Sequence, residues 1–144
     1  MSNSLNRFLK SNKTVRENTE YAATKSLCDE NGNPLKWTIK PLTTKQSEII
    51  RETCSREVPV VGKPGMYRTQ LDTSKYIAKL ISSCVVEPNL NNAQLQDSYG
   101  VKTPEDLIME MIDNPGEYNE FADFVQKFNG LDESLQDKVD EAKN

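Results

Sequence analysis

A β-hairpin is predicted near the start of the chain. From Leu35 to Lys40, apolar residues alternate with polar ones, which is the period of a strand with one solvated face. The segment 20–28 is the expected partner strand, and Asn31 and Gly32 between the two tolerate the positive φ of a tight turn. Trp37, the single tryptophan of the chain, is expected to anchor the core against this sheet.

Amphipathic helices follow the hairpin. Thr43 and Gln46 have the spacing of a capping box, so a helix is predicted to begin there. Asp72 is predicted to cap a second helix, with an apolar stripe along one face, that ends at Pro88. Between these helices, the segment 58–71 contains two prolines and two glycines. It is predicted to be a long loop or a projecting arm with two short extended flanks, and a passive connector is the alternative.

The last third of the chain predicts three more helices. Asn92–Tyr99 is a short one. Thr103, followed by a proline and two acidic residues, is typical of a helix start, and Asn114 begins the final helix of this region. The tail 131–144 has few spaced apolar residues, which is typical of a marginal helix.

These elements predict an α+β fold in which an N-terminal β-hairpin packs on a mainly α-helical bundle. At 144 residues the chain is long enough for one domain with a sizeable core. We expect a flexible basic N-terminal arm over 1–17, a single α+β domain over 18–130 and a marginal, helical acidic tail over 131–144.

The net charge of −4 conceals an asymmetry along the chain. Residues 1–100 carry 14 Lys and Arg against 10 Asp and Glu (+4), whereas residues 101–144 carry 4 against 12 (−8). The acidic half argues against nucleic-acid binding and could attract a basic protein partner, or it is a solvated surface. The four basic residues of the N-terminal arm could likewise meet an acidic partner, or remain solvated; they are Arg7, Lys10, Lys13 and Arg16.

Composition excludes most catalytic chemistry. The chain has no histidine, so Ser-His and Cys-His catalysis are excluded, and without a Cys-x-x-Cys pair the common zinc ligand sets are absent as well. Cys54 and Cys84 fall on the apolar sides of predicted helices, where small core residues are expected. Only carboxylate or lysine chemistry is left open. We therefore expect a protein that is not an enzyme and that has no catalytic site, no metal and no cofactor.

No apolar run approaches the ~20 residues that span a membrane, so no membrane partner is expected. Residues 1–5 lack the apolar centre of a signal peptide, which favours the cytoplasm.

The apolar faces of the last two predicted helices are the candidate partner-binding surface. Such stripes usually form core. The alternative is that they line a groove that receives an amphipathic helix, with Met109 or Met111 as an adaptable contact. The candidate partner-binding residues are Leu107, Met111, Tyr118, Phe121, Val125 and Phe128.

Several segments together are similar to a known family. They are Ser4–Lys10, Trp37–Lys40, Val58–Gly65, Tyr76–Leu80 and Val85–Val101, the last of which (VVEPNLNNAQLQDSYGV) is the most specific. With the order in which they occur, they resemble the XkdN-like tail assembly chaperones of long-tailed bacteriophages and related prophages. The resemblance covers about residues 4–130.

This resemblance implies a non-catalytic assembly factor in the cytoplasm of the host bacterium. Such a protein is expected to bind the tape measure protein, with the tail tube protein as a further candidate partner, and to be absent from the mature virion. Self-association is compatible with that role. The alternative is a minor structural tail component, such as a tail completion or connector protein, that is retained in the virion.

Overall fold

The computed structural model describes residues 2–131, with side chains from Ser4 onward. The fold is α+β, as predicted, and a short 3-10 turn at Lys10–Asn12 follows the first helix. In chain order the helices and strands are α1 (Ser2–Asn6), β1 (Thr19–Tyr21), β2 (Trp37–Ile39), α2 (Thr44–Thr53), β3 (Ser55–Pro59), β4 (Tyr67–Leu71), α3 (Thr73–Cys84), β5 (Val85–Glu87), α4 (Ala93–Ser98), α5 (Pro104–Met111) and α6 (Pro115–Phe128).

The predicted N-terminal hairpin is confirmed, with shorter strands than expected. β1 and β2 pair antiparallel over three residues each, from Thr19 opposite Ile39 to Tyr21 opposite Trp37. Asp29 shapes the turn between them: its carboxylate accepts hydrogen bonds from the backbone N–H of Asn31 at 2.8 Å and of Asn33 at 3.0 Å. Gly32 within this turn has a φ of 82°, which residues with a side chain rarely adopt.

A third strand, β5, was not predicted. The helix expected to continue to Pro88 ends at Cys84, and β5 starts at the next residue and pairs antiparallel with β2. Helical periodicity concealed this change because the apolar stripe of α3 runs directly into Val85. The free edge of β2 decides the outcome, since Val85–Glu87 satisfies backbone groups there that a longer helix would leave unpaired. The sheet order is β1-β2-β5.

The predicted helix starts are confirmed in atomic detail. Thr43 and Gln46 form a reciprocal capping box at α2, with hydrogen bonds of 3.0 and 3.1 Å. Asp72, Thr103 and Asn114 each accept a backbone N–H with the side chain at the start of α3, α5 and α6. The capping side chains therefore fix where each helix begins.

The segment 58–71 belongs to a second, separate hairpin. Its two predicted extended flanks are confirmed as parts of β3 and β4, which pair from Ser55 opposite Leu71 to Pro59 opposite Tyr67. Every side chain from Val61 to Gln70 is exposed, so the hairpin projects from the domain.

The core lies between the three-stranded sheet and the helices α3, α5 and α6. Trp37 of β2 meets the ring of Phe121 edge-on at a centroid distance of 5.7 Å, and Tyr21 of β1 stacks on the same ring at 5.3 Å. Leu80 and Ile81 of α3 are fully buried in this core. Two hairpin aromatics thus pack on one side chain of α6, which holds the sheet against the helices.

Two polar side chains also tie α6 to distant parts of the chain. Asn129, just after α6, accepts a hydrogen bond from the Leu42 backbone N–H at 2.7 Å and donates one to the Val125 carbonyl at 2.9 Å. Glu117 in the first turn of α6 accepts hydrogen bonds from the Thr24 hydroxyl at 2.7 Å and from the Lys25 N–H at 2.9 Å. Both ends of α6 are therefore fixed relative to the N-terminal third of the chain.

The predicted domain limits are described only in part. Side chains from Ser4 to Glu17 are exposed, and the flexibility expected of this arm stays a prediction. Of the tail predicted over 131–144, only Leu131 lies within the described residues.

Replacing Phe121 with Ala is expected to lower the free energy of unfolding by about 3–5 kcal/mol, because the change removes a fully buried ring and leaves a cavity. Urea unfolding followed by circular dichroism measures this change. The control is Val61→Ala, since Val61 is 97% exposed and its removal should leave the unfolding midpoint nearly unchanged. Equal effects of the two substitutions would contradict the described core.

The carboxyl of Glu117 should make stability depend on pH. The Lys25 N–H and the Thr24 hydroxyl hold its pKa below the ordinary value of 4.5. A carboxyl with a lowered folded-state pKa stabilises the fold above the unfolded-state pKa, and this contribution is lost as pH falls through the folded-state pKa. Glu117→Gln should therefore be less stable than the parent at neutral pH, and the difference should shrink in acid. Urea titrations at several pH values test this, with Glu120→Gln as the control.

Candidate partner-binding groove

Most of the six predicted partner-binding residues lie in the core. Leu107, Phe121 and Val125 are fully buried, and Met111 is 6% exposed. Tyr118 and Phe128 are half-buried at its edge. The core interpretation of this stripe thus accounts for four of the six, and partner binding through the set stays a prediction.

The edge of the stripe has features of its own. The Tyr118 hydroxyl is buried without a hydrogen-bond partner among residues 2–131, and burial raises the pKa of this phenol. Phe128 stacks on Phe124 at 6.0 Å, and Phe124 stacks in turn on Tyr21 at 4.3 Å. Met109, the other proposed adaptable contact, is 46% exposed on α5. These rings mainly fasten β1 to the side of α6.

A groove of about 600 Å³ lies where the N-terminal hairpin meets α4 and the end of α5. Trp37 and Thr38 of β2 are among its lining residues, although the Trp37 ring itself is 2% exposed and packs in the core. We call it the hairpin groove. This volume lies within the range of roughly 300–1,000 Å³ that is typical of ligand-binding clefts. The apolar residues that line it are Leu27, Leu35, Pro88, Leu95, Tyr99 and Met111.

Leu35 shows how this groove arises. The alternation predicted it to face inward with Trp37, but it precedes the short strand β2 and is 44% exposed at the edge of the groove. The strand ends before the alternation does, so this leucine is not drawn into the core. An apolar side chain is thereby left at the surface beside other apolar residues.

Two carboxylates border the groove. In the strand register, Glu20 and Glu87 both lie opposite Thr38, one on each side, and the pairing of β2 with β5 is irregular between Thr38 and Ile39. Glu20 and Glu87 are exposed and Thr38 is half-buried, so the three residues form a row on the solvated face of the sheet. Neighbouring strands lie ~4.8 Å apart, so the backbones of the two acidic residues, two strands apart, are separated by roughly 10 Å. Neither forms an ion pair within residues 2–131. Lys36 is the basic residue of the lining.

The hairpin groove therefore suits an amphipathic segment with basic flanks. Apolar side chains would enter between the hairpin and α4, and Lys or Arg would meet the carboxylates. Sequence reasoning missed this site. The period-2 pattern placed Thr38 on the outer face, but Glu87 joins it only through the unpredicted strand β5.

Two of the three thiols, those of Cys54 and Cys84, have environments that suppress nucleophilic chemistry. Burial raises the pKa of Cys84 to about 11 and also raises that of Cys54. Both are buried, as predicted, whereas Cys28 is exposed. No group of three potential metal-ligating side chains occurs within residues 2–131.

None of the helices in the described part of the chain combines the length and apolar character needed to cross a membrane.

Two curated relatives from Bacillus subtilis strain 168 match nearly the full length. The phage-like element PBSX protein XkdN is 23% identical over 138 residues, which covers 95% of this chain and 92% of that protein. The uncharacterized protein YqbN is 24% identical over 128 residues, covering 89% and 85% respectively.

The fold also has a solved counterpart. The crystal structure of the protein YqbN superposes with a TM-score of 0.70 at 18% identity, covering 86% of this chain and 93% of that one. At this level of identity the likeness establishes the shared fold alone.

A family model matches nearly the whole chain. The model described as "Phage XkdN-like tail assembly chaperone protein, TAC" matches residues 5–143, which confirms the resemblance carried by Val85–Val101 and the segments around it. The chain therefore belongs to the family of phage XkdN-like tail assembly chaperones.

Proposed function

We propose that this protein acts without catalysis by binding the tape measure protein and assisting assembly of the tail tube around it. The binding takes place in the cytoplasm of the host bacterium, and the protein leaves before the virion is mature. Membership of the tail assembly chaperone family supports the general role. The observation that carries the binding site is the hairpin groove, an apolar surface bordered by Glu20 and Glu87.

An apolar groove is what a chaperone of helical segments needs. A long helical protein awaiting assembly exposes apolar stripes that would otherwise associate with one another. Each Leu or Phe side chain moved from water into the groove contributes about 1.5–3 kcal/mol. Two or three such side chains offset part of the entropy cost of association, which makes the complex reversible. Reversibility is required of a factor that must give its client up to the tail.

Electrostatics favours a basic client segment. Residues 101–131 carry 7 Asp and Glu against 2 Lys and Arg, and Glu20 and Glu87 add two carboxylates at the groove itself. Complementary charge raises the rate of encounter and selects the orientation of the bound segment. We therefore place the client helix in the groove with its basic residues against the β1-β2-β5 sheet.

A tape measure protein from the same phage or prophage should become soluble on co-expression with this chain and should be captured with it. Leu35→Asp should weaken that capture at least tenfold, since it places a third carboxylate in the apolar part of the groove at a half-exposed position that folding tolerates. The matched control is Ile49→Asp on α2, where an apolar residue 54% exposed lies outside the hairpin groove.

Circular dichroism and unfolding midpoints establish that both variants are folded. Capture that survives Leu35→Asp undiminished would remove the hairpin groove from the proposal. Capture lost equally with Ile49→Asp would mean that the substitutions act through general surface chemistry. If the parent chain forms no complex with the tape measure protein, that protein is rejected as the client.

Purified tails and complete virions should lack this chain. Quantitative mass spectrometry of purified particles, with the tail tube protein as the internal reference, measures its copy number. A fixed stoichiometric number of copies per particle would favour the alternative of a tail completion or connector protein. A copy number indistinguishable from contaminating host proteins is the result expected of an assembly factor.

A further inference from the structure

The part of the N-terminal arm that follows Ser4 presents exposed apolar side chains. Leu5 is 66% exposed, Phe8 is 85% exposed and Leu9 is 47% exposed. Backbone hydrogen bonds from Phe8 to Leu5 at 2.9 Å and from Leu9 to Asn6 at 3.2 Å form two further turns directly after α1, and Leu9 itself has extended backbone. Side chains at positions i, i+3 and i+4 of such turns share one side, so the three form a small apolar face.

Basic residues accompany this face. Arg7 lies between these apolar residues and Lys10 begins the 3-10 turn that follows them, and neither forms an ion pair within residues 2–131. The arm is thus a short amphipathic segment with unpaired positive charge. The hairpin groove is complementary to such a segment, since its lining is largely apolar and the two carboxylates of Glu20 and Glu87 at its border outnumber its one basic residue, Lys36.

Within one chain the arm and the hairpin groove lie apart. The Arg16 guanidinium donates a hydrogen bond to the Leu42 carbonyl, which holds the base of the arm near the start of α2. Lys13 and Arg16 line a different groove, of about 520 Å³, beside Thr43. The strand register places these residues beyond the Ile39 end of the sheet, whereas the hairpin groove lies toward Trp37 and Leu35. None of the arm residues lines the hairpin groove.

We propose that, in the absence of client, the arm of one copy docks in the hairpin groove of a second copy, and the exchange is reciprocal. Leu5, Phe8 and Leu9 fill the apolar lining, while Arg7 and Lys10 meet Glu20 and Glu87. The two identical contacts close a dimer with two-fold symmetry. The arm and the client compete for one site. This competition rests on the proposed function of the groove, whereas the existence of the dimer does not depend on that function.

The dimer is tested by charge exchange between copies of the full chain. The arm variant is Arg7→Glu with Lys10→Glu, and the groove variant is Glu20→Lys with Glu87→Lys; all four positions are exposed. Each variant alone should be monomeric at concentrations where the parent is dimeric. Mixing the two should restore a heterodimer, because the reversed arm of one matches the reversed groove of the other.

Sedimentation equilibrium gives the dissociation constants of the parent, of each variant and of the mixture. Each variant alone should raise the dissociation constant about tenfold or more, and the mixture should recover much of that loss. Phe8→Ala should also weaken the dimer. Val61→Ala, at a 97% exposed position on the tip of the second hairpin, is the control and should leave it unchanged.

Three outcomes would overturn the proposal: a parent chain that is monomeric throughout, variants that still dimerise, or a mixture that shows no recovery. Client capture by the arm variant separates the two proposals. Undiminished capture together with an unchanged dimer rejects the arm contact and leaves the chaperone site standing. A dimer that behaves as expected, with no client bound to any variant, rejects the proposed function and retains the arm contact.

Discussion

The contact between Trp37 and Phe121 joins the two halves of this fold. A three-residue strand cannot hold itself against a helix, and two-stranded hairpins are marginal in water. Trp37 supplies a large buried ring to the sheet, Phe121 supplies the ring that receives it on α6, and Tyr21 stacks on the same ring from β1. Because the sheet is fixed in this way, its opposite face, with Glu20, Thr38 and Glu87 in a row, is held at the surface as one side of the hairpin groove.

Local chemistry made much of the fold predictable. Thr43, Asp72, Thr103 and Asn114 cap their helices through interactions within a few residues, so their meaning is contained in the nearby sequence. The strand β5 could not be found in that way. Val85–Glu87 continues the apolar stripe of α3, and only the free edge of β2, more than forty residues earlier, selects a strand there.

The candidate site was less predictable than the fold, for a related reason. Helical periodicity identifies apolar faces but does not say whether the protein or a partner covers them. Phe121 and Val125 turned out to be covered by the chain itself, whereas Leu35, expected inside, lies at the surface. Glu20 and Glu87 are 67 positions apart in sequence and are brought to either side of one threonine by strand pairing. A site that is formed by strand pairing can be identified only when the pairing of the strands in the sheet is known.

The position of α6 in the chain has a consequence for how the protein is made. Trp37 leaves the ribosome well before Phe121, the side chain that covers it, and Leu42 before Asn129, the residue that pairs with its N–H. Closing contacts of such long range are slow to form and expose apolar surface until they do. During translation the Trp37 side chain of the hairpin therefore stays exposed to solvent until α6 has emerged from the ribosome. For that interval the nascent chain is itself prone to aggregate with other polypeptides through its exposed apolar surface.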